Sequence, residues 1–156
     1  MENTKAFVDL LIESARTYKM GKDLDVLGEF MPTDKNAISN VLSEIHERMG
    51  YQPQQDCMRQ LNKCIDEVVS TTQYIEQSKS FLGSMMIKTY EHDAMKKAIR
   101  VAWQKRREAS REFVYTLVSD MKTEVINIHR DSIIYDIMGI TEKKNGIDVP
   151  VSYTHL

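Results

Sequence analysis

Residues 54–82 read QQDCMRQLNKCIDEVVSTTQYIEQSKSFL, and their apolar side chains recur at alternating steps of three and four. Such steps place side chains in one row along an α-helix, a pattern typical of helices that pack against a long partner. The row consists of Met58, Leu61, Ile65, Val68, Thr72, Ile75, Lys79 and Leu82. Thr72 and Lys79 are its weak positions. The pattern therefore predicts one long helix over 54–82 with a partner along its length.

After this helix, Gly83-Ser84 is a natural point of reversal, and the 55 residues between Gly83 and Gly139 include no glycine or proline. A turn at Gly83 would make an antiparallel helical hairpin. The alternative is a helix that continues through Gly83, because one glycine costs a helix only about 1 kcal/mol. A helix of that whole length is unusual, and Asp131 or Ser132 could cap a new one. We predict a helix over 85–129 and a short helix after it, which contains Ile133, Ile134, Ile137 and Met138.

Toward the N-terminus, the spacing predicts a helix that Asn3 or Thr4 caps and that extends to about Met20. Residues 21–31 are predicted to be a loop with a short turn around 24–30. Thr33 follows Pro32 and is a suitable N-cap for a further helix, which Gly50 ends.

Length and composition limit the fold class. The chain has 156 residues, of which 42% are hydrophobic, and only six glycines and three prolines. A chain of this length and hydrophobic content can form one core. Its glycines and prolines are too few for the turns of a β-sandwich. We predict an all-α protein: an elongated four- to five-helix bundle built on a long antiparallel helical hairpin, as a single domain over 1–140. The weak positions Thr72 and Lys79, with the methionine pair Met85-Met86, suggest that a homo-oligomer completes the burial.

The chain is expected to be soluble and cytoplasmic, without a membrane partner. Asp9 and Glu13 interrupt the N-terminal apolar residues, and no run approaches the roughly 18 apolar residues that span a bilayer. Cys57 and Cys64 are about 10 Å apart on one helix, beyond the roughly 7 Å limit for a disulfide. They are interpreted as reduced core thiols.

No motif for catalysis, a cofactor or a metal is present in the sequence. No Glu or Asp has a histidine three residues later, as a di-iron bundle would need. His46, His92 and His129 lie singly on three predicted helices, and phosphate loops and nucleophile elbows are absent. We therefore expect a protein that is not an enzyme and that uses no cofactor.

The most informative local feature is the segment 96–111, which has seven basic residues and one acidic residue, although the whole chain has a net charge of −2. On a helix, one side of this segment carries a row that we call the basic stripe: Lys96, Arg100, Trp103, Arg107 and Arg111. Arginine and lysine side chains bind phosphate groups, and a tryptophan ring can stack on a nucleic-acid base. The stripe predicts a polyanion-binding surface for nucleic acid or a nucleotide.

Two other interpretations of the stripe stay open. A turn at Gly83 would set Arg100 opposite Glu67 and Arg111 opposite Asp56, so that part of the stripe is neutralised internally. The other interpretation is a protein partner. The chain would then be an interaction or assembly module, such as a small inhibitor encoded by a phage or mobile element.

The C-terminal residues PVSYTHL, Pro150 to Leu156, resemble the translated adapter sequence that contaminates the ends of assembled metagenomic genes, often as VSYTHL. The resemblance covers these seven residues alone. It implies a microbial metagenomic source, a natural C-terminus that is missing, and no function for Tyr153 or His155. The alternative is a genuine disordered tail after Gly146, and residues 141–156 are interpreted as a disordered or artefactual tail. No family resemblance is found for the rest of the chain.

Overall fold

The computed structural model describes residues 2–17, 22–84, 87–137, 141–144 and 147–150, with side-chain detail for 3–17, 23–84 and 87–124. Its helices are α1 (Glu2–Thr17), α2 (Lys22–Glu29), α3 (Lys35–Met49), α4 (Gln55–Leu82) and α5 (Thr89–Ile137). Two short strands follow, β1 (Thr141–Lys144) and β2 (Ile147–Pro150). The prediction of an all-α helical bundle is confirmed. None of the helices that the structure describes combines the length and apolar character needed to span a membrane.

The long helices α4 and α5 form the predicted antiparallel hairpin. Gly83 ends α4 in a right-handed helical conformation, and α5 begins only at Thr89. Because this connection is longer than a turn centred on Gly83, α4 side chains meet residues further along α5 than the sequence predicts. Gln60 donates a hydrogen bond to Glu112, and the Arg106 guanidinium donates one to the Thr72 hydroxyl over 3.2 Å. Met85 and Met86 lie outside the described residues.

The helix α5 continues to Ile137, so the predicted break at Asp131 or Ser132 is wrong. A residue that can cap a helix does not by itself end one. An Asp or Ser residue in a helix interior lowers helix stability by at most about 0.7 kcal/mol relative to alanine, whereas a break leaves several backbone groups without hydrogen-bond partners.

The N-terminal half of the chain departs from prediction in three places. Asn3 and Thr4 lie inside α1, which begins at Glu2, so the prediction that one of them caps this helix is wrong. Residues 22–29 form the helix α2, where a loop with a short turn was expected. The N-cap of α3 is Asp34 rather than Thr33. The Asp34 carboxylate accepts hydrogen bonds from the backbone N–H groups of Asn36 and Ala37 at 2.8 and 3.1 Å. Gly50 ends α3 as predicted, in the left-handed conformation with φ of 64°.

The core lies where α1, α2 and α3 pack on α4 and the middle of α5. Its largest fully buried side chains are Leu11, Leu24, Ile38, Ile45, Leu61, Phe113, Leu117 and Met121. The apolar row of α4 faces this core and α5. Leu61, Ile65, Val68, Thr72 and Ile75 are buried, and the Thr72 hydroxyl donates to the Val68 carbonyl over 2.6 Å. Thr72 is therefore compatible with burial, and Lys79, the other weak position, is exposed.

Beyond this core, α4 and α5 continue together as a narrower unit that we call the hairpin arm, residues 74–82 and 89–102. Its separate small core contains Ile75, Ile99 and Ala102, with Leu82, Met95 and Trp103 packed against it. Among the residues with described side chains, none from α1, α2 or α3 belongs to that core. Much of the arm's surface is therefore exposed to solvent.

The helix α2 packs closely on α5 at Gly28. A Cβ atom at this position would lie 3.1 Å from the backbone nitrogen of Arg111 and 3.2 Å from its Cα. We expect Gly28→Ala to lower the melting temperature and Gly28→Val to lower it further. The cost of overpacking against backbone, about 1–3 kcal/mol, exceeds the roughly 1 kcal/mol that alanine adds to helix propensity.

Thermal unfolding measures this effect, with Gly83→Ala as the control. Gly83 has a φ of −73°, which alanine adopts readily. Among the described residues, its added Cβ would approach only carbonyl oxygens of its own helix, that of Ser80 at 3.3 Å and that of Lys79 at 3.9 Å. A rise in melting temperature for Gly28→Ala would contradict the close approach of α2 and α5.

At the C-terminal end, β1 and β2 pair antiparallel, with Thr141 opposite Pro150 and Lys144 opposite Ile147. No secondary structure was predicted for these residues. The signal for a hairpin in the sequence is Asn145-Gly146, the pair most typical of a two-residue hairpin connection. The interpretation of residues 141–156 as a tail stays a prediction, and 151–156 lie outside the described residues.

Candidate functional site

The basic stripe lies on α5 where the hairpin arm joins the main core. Arg100, Trp103, Arg107 and Arg111 line one surface groove of about 410 Å³, together with Gln104 and Glu108. Lys96 is exposed on the same side of α5, nearer the tip of the arm. Four of the five residues predicted from the sequence therefore border a common groove, and the fifth extends their row.

The stripe's charges are not neutralised in the way the sequence suggested. Lys96, Arg100 and Arg107 are exposed, and within the described part of the chain none of them forms an ion pair. The predicted pairing of Arg100 with Glu67 is wrong, because Glu67 borders a different groove beside Lys105. The shifted register of α4 and α5 accounts for this error.

Arg111 is the exception in the stripe. The structure pairs it with Asp25 of α2, at 3.5 Å between Nε and Oδ1, and not with Asp56 as predicted. Asp56 instead pairs with Arg59 one turn along its own helix. Because α2 was expected to be a loop, the sequence offered no reason to place Asp25 beside α5.

Trp103 is half-buried, and cations lie close to its ring. The Arg106 guanidinium carbon is 3.8 Å from the ring centroid and the Lys79 ammonium is 5.1 Å from it. Burial lowers the pKa of Arg106 from its usual value, and the charge of Glu76 acts in the opposite direction. Arg106 thus connects Trp103 to the Thr72 hydroxyl and orients the indole at the edge of the groove.

A second cleft, of about 210 Å³, adjoins the first. It is lined by Gly28, Glu29, Met31, Thr33, Trp103, Arg106, Arg107 and Ser110. Trp103 and Arg107 border both spaces. The segment between α2 and α3 therefore contributes a wall that sequence analysis did not include in the site, since no local motif in 28–33 indicates a binding role.

The stripe ends at Arg111 for a structural reason. The next positions on this side of α5 are Val114, Val118 and Met121, and all three are fully buried in the main core. One side of α5 thus changes from exposed and basic to buried and apolar where α1 and α2 begin to cover it.

Tyr51, Cys57 and Asp120 form a cluster of titratable side chains outside the stripe. Tyr51 donates a hydrogen bond to Asp120, and Cys57 lies beside both. Burial raises the pKa of Tyr51 and raises those of Cys57 and Cys64 to about 11. These thiols are free cysteines, as predicted, and stay protonated at neutral pH, which makes them poor nucleophiles.

No group of three or more metal-ligating side chains occurs among the described residues. His46 and His92 lie on different helices, α3 and α5, and the side chain of His129 is outside the described part of the chain. Comparisons with models of protein families, with curated proteins and with solved structures found no match. Function is therefore inferred from the chain's own side chains.

Proposed function

We propose that this protein is a non-enzymatic binder of phosphate-rich ligands, nucleic-acid backbone or nucleotides, which it engages through the basic stripe. The observation that carries the proposal is a set of exposed cations, Lys96, Arg100 and Arg107, that form no ion pair with the described residues and lie beside a groove that also contains Trp103. Cations that no internal carboxylate neutralises are available to a polyanion.

The spacing of these cations favours an extended ligand over a single phosphate. Lys96 and Arg107 are eleven residues apart, which is about 16 Å along a helix axis. That distance exceeds the separation of neighbouring phosphates along a nucleic-acid strand, so the row would contact several of them. Trp103 lies between Arg100 and Arg107, where its ring edge could meet a base or sugar.

Arg111 has a smaller part in this proposal. Its side chain is about two-fifths exposed, and Asp25 already shares its charge at 3.5 Å. We assign the main electrostatic contribution to Arg100 and Arg107, and we assign Arg111 to the end of the groove that adjoins the main core.

The proposal is tested by the salt dependence of binding. Labelled single- and double-stranded oligonucleotides and nucleotides are titrated with the full chain, with fluorescence anisotropy as the measurement. Three phosphate contacts predict that affinity falls by about 20- to 40-fold between 50 and 200 mM salt. Absence of binding at low salt, or an affinity that salt does not change, would contradict the proposal.

The alternative function is a protein-interaction or assembly module, such as a small phage or mobile-element inhibitor. It is favoured by the exposed apolar side chains Tyr74, Phe81 and Val101 of the arm. Docking through such side chains buries apolar surface, and salt would not weaken it. We also propose that the protein is cytoplasmic.

A further inference from the structure

The hairpin arm has a second exposed surface on the side of α5 away from the stripe. A groove of about 460 Å³ lies between α4 and α5 there, lined by Glu67, Ser70, Thr71, Tyr74, Ala98, Val101, Ala102 and Lys105. Tyr74 is 45% exposed and Val101 is 50% exposed, although both are large apolar side chains on regular helices. We call this surface the apolar face of the arm.

The charges on α5 along this face are self-complementary. Glu91, Ala98 and Lys105 are spaced by seven residues, so they lie in one row with the small side chain in the middle. Neither Glu91 nor Lys105 has an ion-pair partner among the residues with described side chains. A two-fold axis that passes beside Ala98 would place Glu91 of one copy opposite Lys105 of the other, and the same pair would form twice.

The facing helix α4 is compatible with the same axis. Tyr74 borders the groove at the level of Ala98 and would lie close to the axis. Phe81 is one heptad from Tyr74, nearer the tip, and is 54% exposed. When two arms lie antiparallel about this axis, Phe81 of one copy comes level with Glu67 and Lys105 of the other, which lie seven residues toward the base from Tyr74 and Ala98.

We propose that the apolar face binds a second copy of this chain, forming an antiparallel four-helix bundle from two hairpin arms. An interface of this kind uses the same patch on both copies, as a symmetric dimer requires. The pairing covers Tyr74 and Val101, and it adds two ion pairs at the ends of the interface. It leaves the basic stripe of each copy exposed on the outside.

The area of the apolar face bears on the expected affinity of the dimer. Glu91 and Lys105 are about 21 Å apart along α5, and two adjacent helices are about 20 Å wide. The covered area is then roughly 400 Å² per copy, or about 800 Å² in total, which is below the size of a standard stable interface and in the range of weak, transient ones. We therefore expect a dissociation constant in the micromolar range.

Sedimentation velocity of the full chain between about 1 and 200 μM tests the dimer. We expect a concentration-dependent monomer–dimer equilibrium that Val101→Glu abolishes. Val26→Glu, the same substitution at a valine of α2 that is 53% exposed, is the matched control and should leave the equilibrium unchanged. A chain that stays monomeric over this range would overturn the proposal, as would a dimer that Val101→Glu leaves intact.

The register is tested by a charge swap. Lys105→Glu alone sets two carboxylates against each other at both ends and should weaken the dimer at least tenfold, while Glu91→Lys combined with Lys105→Glu should restore it. These side chains are exposed, so circular dichroism should show the variants folded. Failure of the double variant to restore the dimer would overturn the two-fold arrangement at Ala98. Because the stripe is outside the interface, loss of the dimer and loss of ligand binding are separate results.

Discussion

Replacing Phe113 with alanine is expected to lower the free energy of unfolding by about 3–5 kcal/mol, the range for a buried phenylalanine. Phe113 is the largest fully buried side chain of the chain's described part and belongs to the main core on α5. Its removal would leave a cavity that the surrounding helices can fill only in part. Because the free energy of unfolding of a native protein is about 5–15 kcal/mol, the loss would be a large fraction of the total stability.

Urea denaturation monitored by circular dichroism measures this loss. Phe30→Ala is the matched control, because Phe30 is 68% exposed and undergoes the same chemical change. We expect the control to change the free energy of unfolding by no more than about 0.5–1 kcal/mol. Equal effects for the two substitutions would contradict the position of the core.

The second large effect concerns binding. The double variant Arg100→Glu with Arg107→Glu is expected to weaken binding of oligonucleotides by about 100-fold near 0.1 M salt, because two phosphate contacts alone account for about 60-fold and the new carboxylates add repulsion. The salt dependence of the remaining affinity should also become shallower. Both arginines are exposed and without ion pairs in the described structure, so stability should change little.

A control variant separates the stripe from the overall charge. Lys5→Glu with Lys63→Glu changes the net charge of the chain by the same amount, at exposed positions on α1 and α4 away from the stripe. We expect this variant to retain most of the affinity. Equal affinities of the stripe variant and the unaltered chain would show that the stripe is a solvated surface, and the protein-interaction alternative would then account for the function.

Arg111 is a poor choice for such a test, although the sequence alone makes it as suitable as Arg107. A glutamate there would face Asp25 of α2, in the contact where Gly28 approaches the backbone of α5. Charge reversal would therefore disturb the packing of α2 as well as the groove. A binding defect in that variant could not be assigned to a lost phosphate contact.

Local patterns in the sequence determined several helix bounds of this protein and the position of its basic stripe. The heptad row of 54–82 predicted α4 to within one residue, and Gly50 and Gly83 predicted where α3 and α4 end. The basic stripe was also predictable, because residues three and four apart on one helix share a side whatever the rest of the chain does. Each of these features depends on neighbours within one or two turns.

Contacts between distant segments were decided only by the tertiary structure. The helix α2 is eight residues long, too short to be stable alone, and packs on α5 at Gly28. The pairing of Arg111 with Asp25 follows from that contact, and the register of α4 against α5 follows from a connection longer than Gly83-Ser84. Helical periodicity fixes which residues share a side of one helix, but the free energy that aligns two helices comes from packing between side chains far apart in the chain.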